Sequence, residues 1–279
     1  LISGRTRILG VIGDPVQHTA SPVMQNAALA ATGLDYVYVA FHVKCDQVQT
    51  VPTAMRALEI RGLNVTVPHK VSIMEGLDEI SDEARVIGAV NTISNDDGHL
   101  TGHNTDAYGV AASLEHDGGL QTFPSKVVLL GAGGAARAIL YVLLQRPEVE
   151  EVALLNRSAG RAQQLAADLD PEGKRVRVGS LGDCDRMGDA GLLINTTSVG
   201  MEPEEDQSPV ADETCLHDGL VVLDIVYRPL RTRLLGQAEK AGARVVEGLG
   251  MFVHQGARAF EIWTGKQAPV ADMRRALIE

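Results

Sequence analysis

The chain has 279 residues, enough for two domains of ordinary size, and its 45% apolar content suits packed cores rather than wholesale disorder. A formal net charge of −11 argues against a nucleic-acid partner, because such binding rests on phosphate neutralisation by Lys and Arg, and no apolar run reaches the roughly 20 residues of a membrane helix. The opening LISGRTRILG shows no signal-peptide pattern, and the three cysteines, Cys45, Cys184 and Cys215, have neither metal nor disulfide spacing, so a cytoplasmic protein with inert thiols is expected.

Apolar runs alternate with helical patterns along the whole chain, which predicts an α/β protein. Ile8 to Ile12 reads as a strand. Ser21-Pro22 then starts a helix, with Ser as N-cap and Pro at the first position, and Gly33 ends it after Thr32. Tyr36 to Val43 is a strand, and Asp46 to Leu58 is helical with Pro52 in an early turn. Gly62 to Val67 is a short strand, and Lys70 to Leu77 and Asp82 to Val86 are short helices. Ala89 to Ser94 and His99 to Gly102 flank Asn95-Asp96-Asp97-Gly98, a hairpin turn signal. Thr105 to His116 is helical.

Two motifs of this first half carry ionisable groups to loop ends. GLNVTVPHK delivers Lys70 and GHNTDAYG delivers Asp106, a cation and a carboxylate of the kind acid–base chemistry uses. Lysine is disfavoured at the positive end of a helix, so Lys70 at a predicted helix start implies a chemical role. Asp106 can combine such a role with capping its own helix. Asn64 reads as a turn or structural hydrogen-bonder, and His18 and His254 as structural. No cluster of His, Cys or carboxylate has metal spacing, so no metal is assigned.

In the second half, strands are predicted at Lys126 to Leu130, Glu151 to Leu155, Arg175 to Val178, Leu192 to Asn195, Leu220 to Ile225 and Arg244 to Val246. Helices are predicted at Gly134 to Leu144, Ala159 to Leu169, Thr232 to Ala241, Gly250 to Thr264 and Ala268 to Ile278. In KVVLLGAGGAARA, Gly131, Gly133 and Ala136 fit G-x-G-x-x-[G/A]. The first glycine permits a tight turn, the second lets a pyrophosphate approach the backbone, and the small third residue lets helix and strand pack closely. The phosphates would sit at the helix N-terminus. The next strand ends in LLNRSAGR, where an NAD site usually places an acid to hold the ribose 2′-hydroxyl. Asn156, Arg157, Ser158 and Arg161 stand there instead, and two guanidiniums with a hydroxyl suit a 2′-phosphate, which favours NADP over NAD. Asp224 reads as a buried strand-end residue supporting the loop of Tyr227.

On these motifs the chain resembles the shikimate dehydrogenase family over nearly its whole length. GDPVQHTASP is similar to the family's G-x-P-x-x-H-S-x-S-P, GLNVTVPHK to G-x-N-V-T-x-P-x-K, IGAVNTI to A-G-A-V-N-T, GHNTDAYG to G-x-N-T-D-x-x-G, and NRSAGR to N-R-T-x-x-R. NTTSVGM, DIVYRP and GLGMFVHQGARAF also have counterparts. The resemblance implies two domains: an α/β substrate domain of residues 1–105 completed by the C-terminal helices, 249–279, and an inserted Rossmann-like NADP-binding domain, 106–248. It implies NADPH-dependent reversible reduction of 3-dehydroshikimate to shikimate in aromatic amino acid biosynthesis. A relative acting on quinate or an aminated analogue would share the fold, whereas a non-catalytic nucleotide sensor would have no need of Lys70 and Asp106. The implied partner is a small-molecule substrate, with no nucleic acid and no membrane, and the protein would be a monomer or homodimer.

The same resemblance implies residue roles. Lys70 would protonate the carbonyl oxygen as hydride arrives, and Asp106 would hydrogen-bond a ring hydroxyl and orient Lys70. Asn91 and Thr66 would contact ring hydroxyls, Thr19, Ser21 and Tyr227 would hold the substrate carboxylate, and Gln255 would reach the substrate from the first C-terminal helix. Gly131, Ala132, Gly133, Gly134 and Ala135 would cradle the cofactor phosphates and Asn156, Arg157, Ser158 and Arg161 the adenosine end. Thr196 and Ser198, with Met251 and Gly248, would border the nicotinamide. Thr19 stands where most relatives have Ser, and Gln25 where His is common. The retained Ser21 leans towards shikimate over quinate.

Overall fold

The described residues build two sheets of six strands each. The computed structural model describes residues 2–279. It separates into two compact units, one running up to Tyr108 and including Val253–Glu279, the other Gly109–Phe252.

The first unit contains β1 (Arg7–Gly13), α1 (Ser21–Thr32), β2 (Tyr36–His42), α2 (Val51–Ala57), β3 (Gly62–Val65), β4 (Glu79–Ile80), α3 (Asp82–Ile87), β5 (Thr92–Asp96) and β6 (His99–His103). Its strand order is β2-β1-β3-β5-β6-β4. The β2, β1 and β3 strands are parallel, β5 runs antiparallel to both β3 and β6, and β4 lies parallel to β6. One side of this sheet covers a core of Ile12, Met55, Leu63, Ile73, Ile93 and Leu100. The two-residue β4 has no counterpart in the sequence reading.

The β5–β6 hairpin closes on Asp97 and Gly98, whose φ values are 53° and 93°, the positive pair a tight primed turn needs. The turn is shorter than the four residues expected. Asn95 and Asp96 stay in the strand, paired with Leu100 and His99, and Asn95 Nδ2 donates to the carbonyls of Met55 and Ile60.

The helix α1 ends at Gly33 as expected, in the left-handed conformation with φ 65°. Its start differs. Ala20 is the N-cap and Ser21 is already helical, so the Ser21 hydroxyl does no capping and is left for other contacts. A 3₁₀ helix, Cys45–Thr50, precedes α2 and takes the first half of the single helix expected from Asp46. Residues 67–71 form a turn followed by a 3₁₀ helix, Ser72–Gly76, so Lys70 lies in the turn and not at a helix start.

The second unit contains β7 (Lys126–Leu130), α5 (Gly134–Leu144), β8 (Glu151–Leu155), α6 (Ala159–Leu169), β9 (Val176–Gly179), β10 (Leu192–Asn195), β11 (Val221–Asp224), α7 (Arg233–Lys240) and β12 (Arg244–Glu247). It is preceded by α4 (Asp106–Ala112), which ends in a π turn at Ser113–Asp117, and followed by α8 (Gly248–Thr264) and α9 (Val270–Ile278). The division between units falls within α4 and α8. All six strands are parallel, in the order β12-β11-β10-β7-β8-β9. Succession runs outward in both directions from the centre, so β7 and β10 flank a topological switch point, where open parallel sheets bind ligands.

Among the described residues, no helix is long and apolar enough to cross a membrane and no group of side chains could hold a metal ion. Cys45 is a free, exposed thiol, whereas Cys215 is disulfide-bonded, which corrects the expectation of three inert thiols. Sequence spacing cannot show such a bond, because folding brings distant cysteines together.

Candidate active site and dinucleotide site

The turn after β3 is fastened from both sides. The Lys70 carbonyl accepts from the Val90 N–H at 2.8 Å, and the buried His69 ring meets the Val43 carbonyl at 2.6 Å. This fixes the backbone from which Lys70 projects. Its Nζ donates to Asp106 Oδ2 at 2.5 Å, with only 14% and 7% of the two side chains exposed. Such a short charge-assisted contact is among the stronger hydrogen bonds of a protein.

Asp106 is the first residue of α4, yet it does not cap the helix. Asn104 does: its Oδ1 accepts from the N–H groups of Asp106 and Ala107 at 3.0 and 3.3 Å, and its Nδ2 donates to the Ala89 carbonyl. Both Asp106 oxygens are therefore available to side chains, and the second accepts from Asn91 Nδ2 at 2.8 Å. Asn91 is held in turn, with Oδ1 accepting from the Thr105 N–H at 2.7 Å and from Thr92 Oγ1 at 3.1 Å. Asn104, Thr105 and Thr92 were missed as supporting residues. An Asn two positions before a helix start is a recognisable capping signal that could have found the first.

At β1 and α1, Thr19 Oγ1 donates to Ser21 Oγ at 3.1 Å. Burial pushes the Tyr38 phenol well above its ordinary value, against the opposing effect of the nearby Ser21 hydroxyl. Asn64 is a structural hydrogen-bonder, accepting from Tyr38 Oη at 2.7 Å and donating to the Asn91 carbonyl and to Thr92. Thr66 is half-buried, and its hydroxyl has no partner among the described residues. Gln25, fully buried on α1, donates to the Gly256 carbonyl at 2.9 Å and so ties α1 to the turn of α8 that carries Gln255.

In the second unit, Gly131 has φ 105°, and a Cβ there would lie 2.4 Å from Thr196 Oγ1. Glycine is required on both counts. At Gly133 a Cβ would meet nothing within 4 Å, so this stretch faces open space. The α5 helix begins at Gly134 with no side-chain cap, leaving the N–H groups around Gly134 and Ala135 for an anion. Ala132 is half-buried, and the fully buried Ala136 packs α5 onto the sheet.

Beyond β8, Asn156 Nδ2 donates to the Ser158 carbonyl and shapes the loop. Arg157, Ser158 and Arg161 are exposed, and neither guanidinium has an ion-pair partner among the described residues. Two unpaired cations at this position fit the 2′-phosphate of NADP.

At the switch point Thr196 Oγ1 donates to the Leu130 carbonyl at 2.6 Å, while Ser198 is exposed. Asp224 is fully buried and accepts from Asn195 Nδ2, Thr232 Oγ1 and the Val226 N–H. Burial raises its carboxyl above the usual range, and those bonds oppose the rise. The loop it supports carries Tyr227, whose ring stacks on Phe252 at 4.2 Å. Gly248 leaves no room for a side chain, since a Cβ would lie 2.5–2.6 Å from the backbone of Asp224 and Ile225. Met251 is buried.

Three family descriptions match the chain: a shikimate dehydrogenase substrate binding domain at residues 11–93, a shikimate / quinate 5-dehydrogenase at 117–201, and a shikimate 5′-dehydrogenase C-terminal domain at 248–278. A shikimate dehydrogenase (NADP(+)) of Methanopyrus kandleri is 45% identical over all of this chain and 97% of its own length. A crystal structure of a shikimate dehydrogenase in complex with NADP+ is similar with a TM-score of 0.93 at 40% identity, covering all of this chain and 96% of that one. The shikimate 5-dehydrogenase of Thermus thermophilus, solved with NADP(H) and shikimate, gives a TM-score of 0.87 at 36% identity over 98% of each chain.

Proposed function

The chain belongs to the shikimate dehydrogenase family, and we propose that its buried Lys70–Asp106 pair handles the proton in the reversible, NADP-dependent reduction of 3-dehydroshikimate to shikimate. The pair is the observation that carries this assignment of roles. A binding protein gains nothing from a buried ammonium aimed at a carboxylate, and burying ions is costly unless they are paired and used.

NADPH, when bound, supplies the hydride. The residues at the mouth of β7 and the start of α5 would hold its pyrophosphate through backbone N–H groups, and Arg157 and Arg161 its 2′-phosphate. On the substrate side, Lys70 Nζ gives a proton to the oxygen of the reduced carbonyl and takes it back in the reverse direction. Asp106 keeps Lys70 in place by accepting from Nζ, and it keeps its own position through Asn91. The Thr66 hydroxyl, without a partner among the described residues, serves a ring hydroxyl, and the Thr19 and Ser21 hydroxyls serve the carboxylate. Gln255 completes the substrate contacts, and Thr196, Ser198, Gly248 and Met251 border the nicotinamide.

A panel of shikimate and quinate, each with NADP and NAD, tests the reading. Shikimate with NADP should give the highest kcat/KM. Failure to oxidise shikimate with either cofactor would overturn it, and a preference for quinate would move the assignment within the family.

A further inference from the structure

A continuous series of hydrogen bonds runs from Tyr38 to Lys70 within the first unit. Tyr38 Oη donates to Asn64 Oδ1 at 2.7 Å, and Asn64 Nδ2 to Thr92 Oγ1 at 3.0 Å. Thr92 Oγ1 donates to Asn91 Oδ1 at 3.1 Å, and Asn91 Nδ2 to Asp106 Oδ1 at 2.8 Å. Asp106 Oδ2 receives Lys70 Nζ.

The orientation of each amide in the series is forced. An ionised Asp106 only accepts, so Asn91 must present its NH₂ there and its Oδ1 to Thr92. The Asn64 NH₂ also faces the Asn91 carbonyl at 3.3 Å, which only accepts, so Asn64 turns Oδ1 to Tyr38. Tyr38 must then donate its single proton to Asn64. The links are buried: Tyr38 is 1% exposed, Asn64 7%, Asn91 3% and Thr92 0%. A broken link therefore cannot be replaced by bulk water.

We propose that Tyr38 is a positioning residue for the reaction: its hydroxyl orients Asn64 and, through Thr92 and Asn91, the Asp106 carboxylate that holds Lys70. This rests on the reading of Lys70 and Asp106 given above. Tyr38 sits on β2, with β1 and β3 between it and the hairpin that carries Asn91 and Thr92 near its base, so it acts through the sheet and not through the substrate. Removing its hydroxyl leaves Asn64 Oδ1 buried without a donor. The Asn64 amide cannot flip to compensate, since its oxygen would then face the Asn91 carbonyl.

The test is Tyr38→Phe, which keeps the ring and its 6.0 Å approach to Trp263. At saturating substrate, kcat should fall by about tenfold, the scale of one buried hydrogen-bond partner lost, while KM for NADP stays within about twofold. Asn64→Ala should lower kcat by a similar factor, and the double variant should fall no further than the single ones, because both break the same series. Independently of turnover, Tyr38→Phe should shift the side-chain amide resonances of Asn91. A folded Tyr38→Phe protein with the parent kcat, multiplicative losses in the double variant, or unmoved Asn91 amides would each overturn the proposal. Absence of shikimate turnover in the parent protein would count against the assigned reaction instead, and the Asn91 amides would still decide the role of Tyr38.

Discussion

Asp106→Asn isolates the carboxylate at the centre of the site, because the substitution keeps shape and volume. Asp106 accepts from Asn91 Nδ2 at 2.8 Å and from Lys70 Nζ at 2.5 Å, so both oxygens face donors. An amide offers one oxygen and one NH₂. Asn91 cannot turn its own oxygen round, because the Thr105 N–H holds it at 2.7 Å. One donor must therefore face another. If it is Lys70, a buried ammonium loses its partner, which costs about 3–5 kcal/mol. If it is Asn91, a buried amide is left unpaired, at about 1–3 kcal/mol. We expect a loss of about 3 kcal/mol and a fall in kcat of about 10²–10³, since the proton donor is no longer held in place.

Trp263 is the sole tryptophan and is buried in the first unit, so its fluorescence during urea unfolding reports on the unit that holds the pair. Lys70→Met supplies the second arm of a double-mutant cycle. In that background Asp106→Asn should cost less than about 1 kcal/mol, because the unpaired ammonium is gone. Additive stability losses, or the parent kcat in Asp106→Asn, would refute the reasoning and reduce Asp106 to part of a helix start.

Four further outcomes are expected. Lys70→Ala should lower kcat by about 10²–10⁴ with little change in KM, as loss of a general acid does; a raised KM with kcat preserved would make Lys70 a binding residue. Arg157→Ala should cut kcat/KM for NADPH by about ten- to a hundredfold, the worth of one charge-assisted phosphate contact, and leave NADH use unchanged; equal loss with both cofactors would place Arg157 elsewhere. Gly131→Ala forces a side chain into φ 105° and to 2.4 Å from Thr196 Oγ1, so NADP affinity by calorimetry should fall by more than about tenfold, and unaltered affinity would show that the loop yields. His103 is held below its ordinary value by burial first and the Arg258 charge second, against Glu79 and Asp96. The unfolded chain then takes up this proton first, so the stability His103 allows is fully present above about pH 6.5 and is lost as pH falls through the folded value. His103→Gln should reduce the drop in unfolding midpoint between pH 7.5 and 5.5, and an equal drop would remove His103 as its source.

The parts of the molecule that could be read from the sequence are those where one local chemical demand dominates. Gly131 is legible because a tight turn with positive φ has few alternatives, and the β7–turn–α5 unit around it follows from period and glycine placement together. Arg157 and Arg161 are legible by what stands in place of an acid. Lys70 and Asp106 could be picked out as chemical groups, yet both local settings differ from expectation: Lys70 sits in a turn, and Asp106 leaves capping to Asn104. Thr92 and Thr105 were not legible as supports of the pair, because their contacts depend on strand pairing. The β3–β5 register sets Asn64 opposite Thr92, and the β5–β6 register sets Thr92 opposite His103, just before Asn104 and Thr105. Neither pairing, nor the contact of Tyr38 with Asn64, is encoded in any short motif.

The two asparagines flanking the pair show how one segment can serve both fold and chemistry. A helix start needs an acceptor for its first free N–H groups, and a carboxylate at that point is a natural choice. Had Asp106 taken that part, its oxygens would be turned back on its own helix. Asn104 supplies the acceptor for the N–H groups of Asp106 and Ala107, and its own NH₂ is fixed by the Ala89 carbonyl at 2.9 Å. Asn91 meanwhile directs its NH₂ at the carboxylate, because its oxygen is committed to Thr105 and Thr92. The backbone demand and the chemical demand are met by different amides, and Asp106 keeps an oxygen for Lys70. That division explains why a single carboxylate can be 5% exposed, sit at a helix start and still carry the proton-donating lysine.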